Sequence, residues 1–148
     1  MRQAAIEGIS PFFIVSDLQS SLAFYRDALG FSITFQGPTP GDLFFGIVRR
    51  DGAQILLKSV GVHALPNHTR HEYARWDAFV AVPDPDALAA EFASRSVAFS
   101  EPLKNDDDGL RGFEIKDIDG YVLFFGRPQV SEPDRVRSTE WTPNRPSS

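Results

Sequence analysis

The chain repeats itself. Val15-Ser16-Asp17 is echoed by Val82-Pro83-Asp84 at an offset of 67 residues. Asp51-Gly52-Ala53-Gln54-Ile55-Leu56-Leu57 is echoed by Asp119-Gly120-Tyr121-Val122-Leu123-Phe124-Phe125 at an offset of 68. Two anchors sharing nearly one offset point to a duplicated unit. With 148 residues in all, the two halves are expected to build one ordinary domain.

Hydrophobic periodicity gives each half the same order of elements. In the first, Ile9 to Val15 reads as a strand and Asp17 as a helix N-cap. Leu18, Leu22, Tyr25 and Leu29 recur at helical spacing, and Gly30 stands where a helix-ending glycine is expected. Strands follow at Phe31 to Gln36, Leu43 to Arg49 and Ala53 to Ser59. Gly37 to Gly41 reads as a loop and Asp51-Gly52 as a tight turn. In the second half Trp76 to Val82 is a strand. Asp84 caps a helix with Pro85 in its first position, and Leu88 and Phe92 give that helix an apolar side. Val97 to Phe99, Leu110 to Ile118 and Tyr121 to Phe125 are the remaining strands, with a turn at Asp119-Gly120. The reading is module one over 9–60, a linker over 61–75, module two over 76–127, and a polar tail over 129–148.

Alternate side chains of a strand face opposite ways. One face is wholly apolar: Phe13 and Val15, Ile55 and Leu57, Val80 and Val82, Leu123 and Phe125. It is expected to pack on the helices. The other face mixes Ser10, Phe12 and Ile14 with Gln54, Leu56 and Lys58, and Asp77, Phe79 and Ala81 with Val122 and Phe124. A solvent face would be mostly polar. Aromatic and aliphatic groups with a few polar ones suit either a ligand pocket or a second packed layer such as a dimer interface. Thirteen phenylalanines against one methionine fit a core or a cavity lined with rings. Trp76 is expected on the face opposite Asp77, in a core or edge role.

Composition narrows the chemistry. There is no cysteine, so thiolate metal sites and thiol nucleophiles are excluded, and a reducing cytoplasm is the expected compartment. A net charge of −5 argues against nucleic acid. Residues 1–8 carry no secretory pattern, and no run approaches the roughly 20 apolar residues of a membrane span. His68 and His71 stand three apart with His63 and Glu72 near, but in a linker with no helix to fix them. Asp106-Asp107-Asp108 lacks the spacing of a calcium loop. Lys58 and Arg111 are the strand cations of interest; Lys58 could meet Asp77 or a ligand carboxylate, or simply solvent.

Val15-Ser16-Asp17-Leu18 with Ser21 to Phe31, and Arg111 to Tyr121, resemble the opening and closing motifs of the glyoxalase/bleomycin-resistance group of the vicinal oxygen chelate superfamily. Ile118 stands where that group usually has proline. The resemblance covers residues 9 to about 128. It implies an α+β fold of two βαβββ modules forming a cup-shaped mixed sheet with helices on the outer face, often in a homodimer. In metal-dependent members four strand positions hold the ion, and they fall here on Ser10, Leu56, Asp77 and Phe124. Only Asp77 could ligate a metal strongly, so no metal or other cofactor is expected.

The expected function is metal-independent binding of an aromatic or amphiphilic small molecule, and the acidic balance favours cationic ligands. The expected site comprises Ser10, Phe12, Gln54, Leu56, Lys58, Asp77, Phe79, Arg111 and Phe124, with no catalytic residue. The alternatives are a lyase, isomerase or dioxygenase holding a metal through atypical ligands, and a dimeric interaction module without a ligand.

Overall fold

The computed structural model describes residues 3–66, 70–71 and 74–129. The chain divides into two compact units, Met1–Ala64 and Leu65–Ser148, and the boundary falls inside the segment read as a linker. Each unit holds one four-stranded mixed sheet and one helix, so the fold is α+β. Residues 130–148 of the tail lie outside the described residues.

The first unit runs β1 (Phe12–Ile14), α1 (Leu18–Ala23), β2 (Ser32–Thr39), β3 (Asp42–Arg50) and β4 (Ala53–Lys58). The second runs β5 (Ala78–Ala81), α2 (Pro85–Ser94), β6 (Glu101–Asn105), β7 (Leu110–Lys116) and β8 (Val122–Pro128). The sheet orders are β1-β4-β3-β2 and β5-β8-β7-β6, the same topology twice. In each, the first strand lies parallel to the last. Phe12 pairs with Leu56, and Phe79 pairs with Phe124. These are the residues that the two sequence offsets make equivalent, so the repeat holds at the level of register.

Both helices begin as their sequences dictate. Asp17 accepts a hydrogen bond from the Ser20 amide at 2.9 Å, and Asp84 from the Ala87 amide at 3.0 Å. Each satisfies an amide that the helix itself leaves unpaired. α1 continues into a π-helical segment, Phe24–Ala28, and Gly30 ends it at φ 74°, a conformation that favours glycine. Leu18, Leu22, Tyr25 and Leu29 are buried with Phe13, Val15, Ile55 and Leu57. A Cβ on Gly46 would come within 2.9 Å of Leu22 Cδ2, so glycine there lets α1 approach β3 closely. In the second unit Phe92 of α2 stands edge-on to Phe113 and Phe125, at centroid distances of 5.7 and 5.3 Å. Burying each such ring contributes about 1.5–3 kcal/mol.

Three local readings are corrected. The strand expected at Val97 to Phe99 is β6 at Glu101–Asn105. Val97 instead closes the end of α2 through its amide to the Phe92 carbonyl at 3.0 Å, and Phe99 stacks on Phe113. The loop expected from Gly37 is strand as far as Thr39, with a register shift between Gly37 and Pro38. The two hairpins also differ. Arg50 pairs with Ala53 across Asp51-Gly52, whereas Lys116 pairs with Val122 across residues 117–121. The longer turn is closed by Asp117 Oδ1, which accepts from the Asp119 and Tyr121 amides, each at 2.9 Å.

Candidate functional site

In each unit the helix covers one face of the sheet, and the expected site residues fall mainly on the other. In the first unit that face gathers Phe12 and Leu56, paired in register, and Lys58, paired with Ile14 and Phe45. Gln54 Nε2 donates to Ser10 Oγ at 3.0 Å, which ties the segment before β1 to β4. The Lys58 ammonium lies 5.8 Å from the centroid of the Phe44 ring, within cation–π range. Phe12 is 51% exposed and Phe35 44%; Phe35 leans on Phe45 at 5.9 Å.

The second unit concentrates its aromatics. Phe124 is stacked against Trp76 with ring centroids 4.0 Å apart, and against Phe79 at 5.6 Å. Trp76 and Phe79 are tilted together at 5.9 Å. Two glycines make room for this cluster. A Cβ on Gly112 would come within 2.5 Å of Phe124 Cζ, and one on Gly126 would collide with the same ring. Phe124 can therefore lie low over β7 and β8, and it is 6% exposed beneath its two neighbours, while Phe79 keeps 40% exposure. The expectation that Trp76 turns to the other face is overturned. Trp76 lies before β5, which begins at Ala78, so strand alternation does not govern it.

Asp77 is committed to the backbone. Its Oδ2 accepts from the Val122 amide at 2.8 Å, while its own amide donates to the Val122 carbonyl at 2.8 Å. It thus extends the pairing of β5 with β8 by one residue.

Arg111 stands apart from the rings. Its Nε and Nη2 donate to the two carboxylate oxygens of Asp86, each at 2.8 Å, and Nη1 donates to Asn105 Oδ1 at 3.2 Å. Asp86 lies in α2, so Arg111 shares the helix-bearing face with Phe113. These hydrogen bonds hold the Asp86 carboxyl below the ordinary carboxylate range and raise Arg111 above its usual value. A cleft of about 440 Å³ opens there between Asp84, Asp86, Arg111 and Arg127. Its opposite charges balance, and the stacked rings do not line it.

A residue that sequence reasoning missed is Glu114. It is 1% exposed in mid-β7 and pairs in register with Phe124. Its Oε1 accepts from Arg75 Nε at 3.0 Å, from Arg75 Nη2, and from Ser100 Oγ at 2.7 Å. The available signal is a carboxylate set between Phe113 and Ile115 in mid-strand, where a charge is rarely buried unless paired.

The four positions that would hold a metal do not fit one. Leu56 and Phe124 carry no donor atom. Ser10 is held by Gln54, and Asp77 by the Val122 amide. Among the described residues no group of three or more His, Asp or Glu side chains is placed to share an ion. His68 and Glu72 lie outside the described residues. Asp106 Oδ1 accepts from the Asp108 and Leu110 amides at 3.0 and 2.9 Å, so it shapes its own turn. Among the described residues no helix is long and apolar enough to cross a membrane.

Comparison with known proteins places the fold. A family model described as the Glyoxalase/Bleomycin resistance protein/Dioxygenase superfamily matches residues 8–125. A bleomycin-binding protein from bleomycin-producing Streptomyces verticillus, solved with copper(II)-bleomycin, is 25% identical with a TM-score of 0.62, over 88% of this chain and 100% of that one. An antibiotic binding protein from Streptomyces sp. CB03234 is 26% identical with a TM-score of 0.59, over 86% and 100%. A glyoxalase-related enzyme from Clostridium phytofermentans is 14% identical with a TM-score of 0.68, over 86% and 99%; it shares the fold alone. No curated protein gives a significant sequence match.

Proposed function

The chain belongs to the Glyoxalase/Bleomycin resistance protein/Dioxygenase superfamily, and on that premise we propose that it sequesters an aromatic or amphiphilic small molecule without breaking a bond. The observation that carries this reading is the Trp76–Phe79–Phe124 cluster, with Phe79 left 40% exposed at its edge. Flat ligands gain both buried area and ring–ring attraction on such a surface. Two relatives about one-quarter identical to this chain are a bleomycin-binding and an antibiotic-binding protein, which supports binding as the activity.

The mechanism needs no metal. The donor set at Ser10, Leu56, Asp77 and Phe124 cannot hold one, and affinity comes from stacking and desolvation. Within the first unit, Phe12, Leu56 and Lys58, with Ser10 and Gln54 held together, form a mixed surface of their own. The net charge of −5 favours the approach of cationic compounds. A two-fold homodimer is the default assembly for such a protein, and light scattering reads it directly.

Calorimetric titration of a panel of cationic and neutral polycyclic aromatics tests the reading. Saturable binding of some members by chelator-treated protein is expected. Failure of every compound on well-folded protein would sink it.

A further inference from the structure

The Glu114 carboxylate is satisfied on one side only. Oε1 takes the two Arg75 bonds and the Ser100 hydroxyl, while Oε2 is buried with no hydrogen-bond partner. A buried acceptor without a donor is costly and rare. Residues opposite each other in register share a face, with Cβ atoms about 4.5–5.5 Å apart. Glu114 is opposite Phe124, so its carboxylate belongs to the face that carries the stacked rings.

Resting on the ring-binding reading above, we propose that Glu114 Oε2 is a hydrogen-bond subsite for an N–H group on the ligand. An ionised carboxylate only accepts, so its complement is a donor. The ligand class is a planar aromatic with an amino or amidine N–H at its edge, within reach of Glu114 when the ring system lies against Trp76 and Phe79. Arg75 balances the charge of Glu114 through their ion pair, and the nearby Glu101 carboxylate is balanced by Lys104 at 3.3 Å. The subsite therefore selects the N–H itself more than positive charge. A ligand reaching Oε2 displaces atoms that now cover it.

Two flat cations of similar size separate these terms: proflavine, which carries N–H donors, and N-methylacridinium, which carries none. Chelator-treated wild-type protein is expected to bind proflavine at least about tenfold more tightly, the scale of one hydrogen bond to a charged group. Glu114→Gln, checked for native near-UV circular dichroism, is expected to bring the two affinities within about threefold of each other, since the hydrogen bond loses its charge assistance. Should that variant fail to fold, the isotope-labelled Glu114 carboxyl resonance of the wild type supplies the readout. It is expected to shift with proflavine and stay in place with N-methylacridinium. Equal affinity of the wild type for both dyes overturns the subsite and leaves the ring reading standing. A preference that survives Glu114→Gln, or a carboxyl resonance indifferent to proflavine, overturns it too. Binding of neither dye, nor of any compound in the wider panel, counts against the ring reading itself.

Discussion

Trp76 lies against Phe124 with ring centroids 4.0 Å apart and ring planes 20° from parallel. Phe124 belongs to β8, while Trp76 comes from the segment before β5, so the contact joins two stretches remote in sequence. Phe79 completes the cluster from β5 and is its most exposed member. On the proposed binding reading, that arrangement separates binding from stability. Phe79→Ala is expected to change the unfolding free energy by no more than about 1 kcal/mol, since the side chain is half out of the core. It is expected to weaken aromatic ligands by about 1–2 kcal/mol, the scale of a lost ring contact. Denaturant melts and calorimetric titration of the same variant read both quantities.

The glycines beneath Phe124 are a second point of attack. A methyl group on Gly126 would collide with the Phe124 ring and come within 2.8 Å of the Arg111 carbonyl oxygen. Gly126→Ala is expected to cost about 1–3 kcal/mol, as overpacking does. It should also displace Phe124 from Trp76, which near-UV circular dichroism would register as a changed aromatic band. An unchanged spectrum with unchanged stability contradicts this packing of Phe124 over Gly126.

The Asp86–Arg111 pair makes a pH prediction. Hydrogen bonds from Arg111 lower the Asp86 carboxyl in the folded protein, with desolvation opposing and charge attraction adding a smaller share. A carboxyl lowered on folding contributes stability above its unfolded value, and that contribution disappears as pH falls through the folded value. The stability gap between wild type and Arg111→Met should therefore be full near neutrality and narrow in the acid range. Both groups meet solvent, so the gap is small and shrinks further in salt. Denaturation midpoints measured across acid pH would contradict this by showing a constant gap.

Helix capping gives a fourth. Asp84→Ala removes the acceptor for the Ala87 amide and is expected to cost about 1 kcal/mol. Asp84→Asn keeps an acceptor and should recover most of the loss. Thermal melts of the two variants read the difference.

Much of this architecture was legible in the sequence. Asp-Gly turns, N-cap aspartates and two nearly equal offsets suffice to give two βαβββ modules, and the pairs Phe12–Leu56 and Phe79–Phe124 confirm the equivalence. What escaped was local or long-range. Strand periodicity puts Trp76 on the wrong face because the period of two holds only inside a strand, and β5 starts two residues later. The short apolar run at Val97 resembled a strand but closes α2. Glu114 escaped because its partners Arg75 and Ser100 are 39 and 14 residues away, and no local pattern announces such a meeting. Sequence reading groups Arg111 with the site residues, yet its guanidinium is held by Asp86 of α2, a contact equally invisible in local spacing.

The central claim is that a ligand binds on the aromatic cluster without a metal, and the fluorescence of Trp76 tests it most directly. The chain has two tryptophans, so Trp141→Phe leaves Trp76 as the sole indole reporter. Proflavine titrated into that variant in the presence of chelator should quench the indole emission along a saturable curve, and Phe79→Ala should shift the curve to higher concentration. A flat emission trace, or quenching that appears only when a divalent metal is restored, would contradict the account.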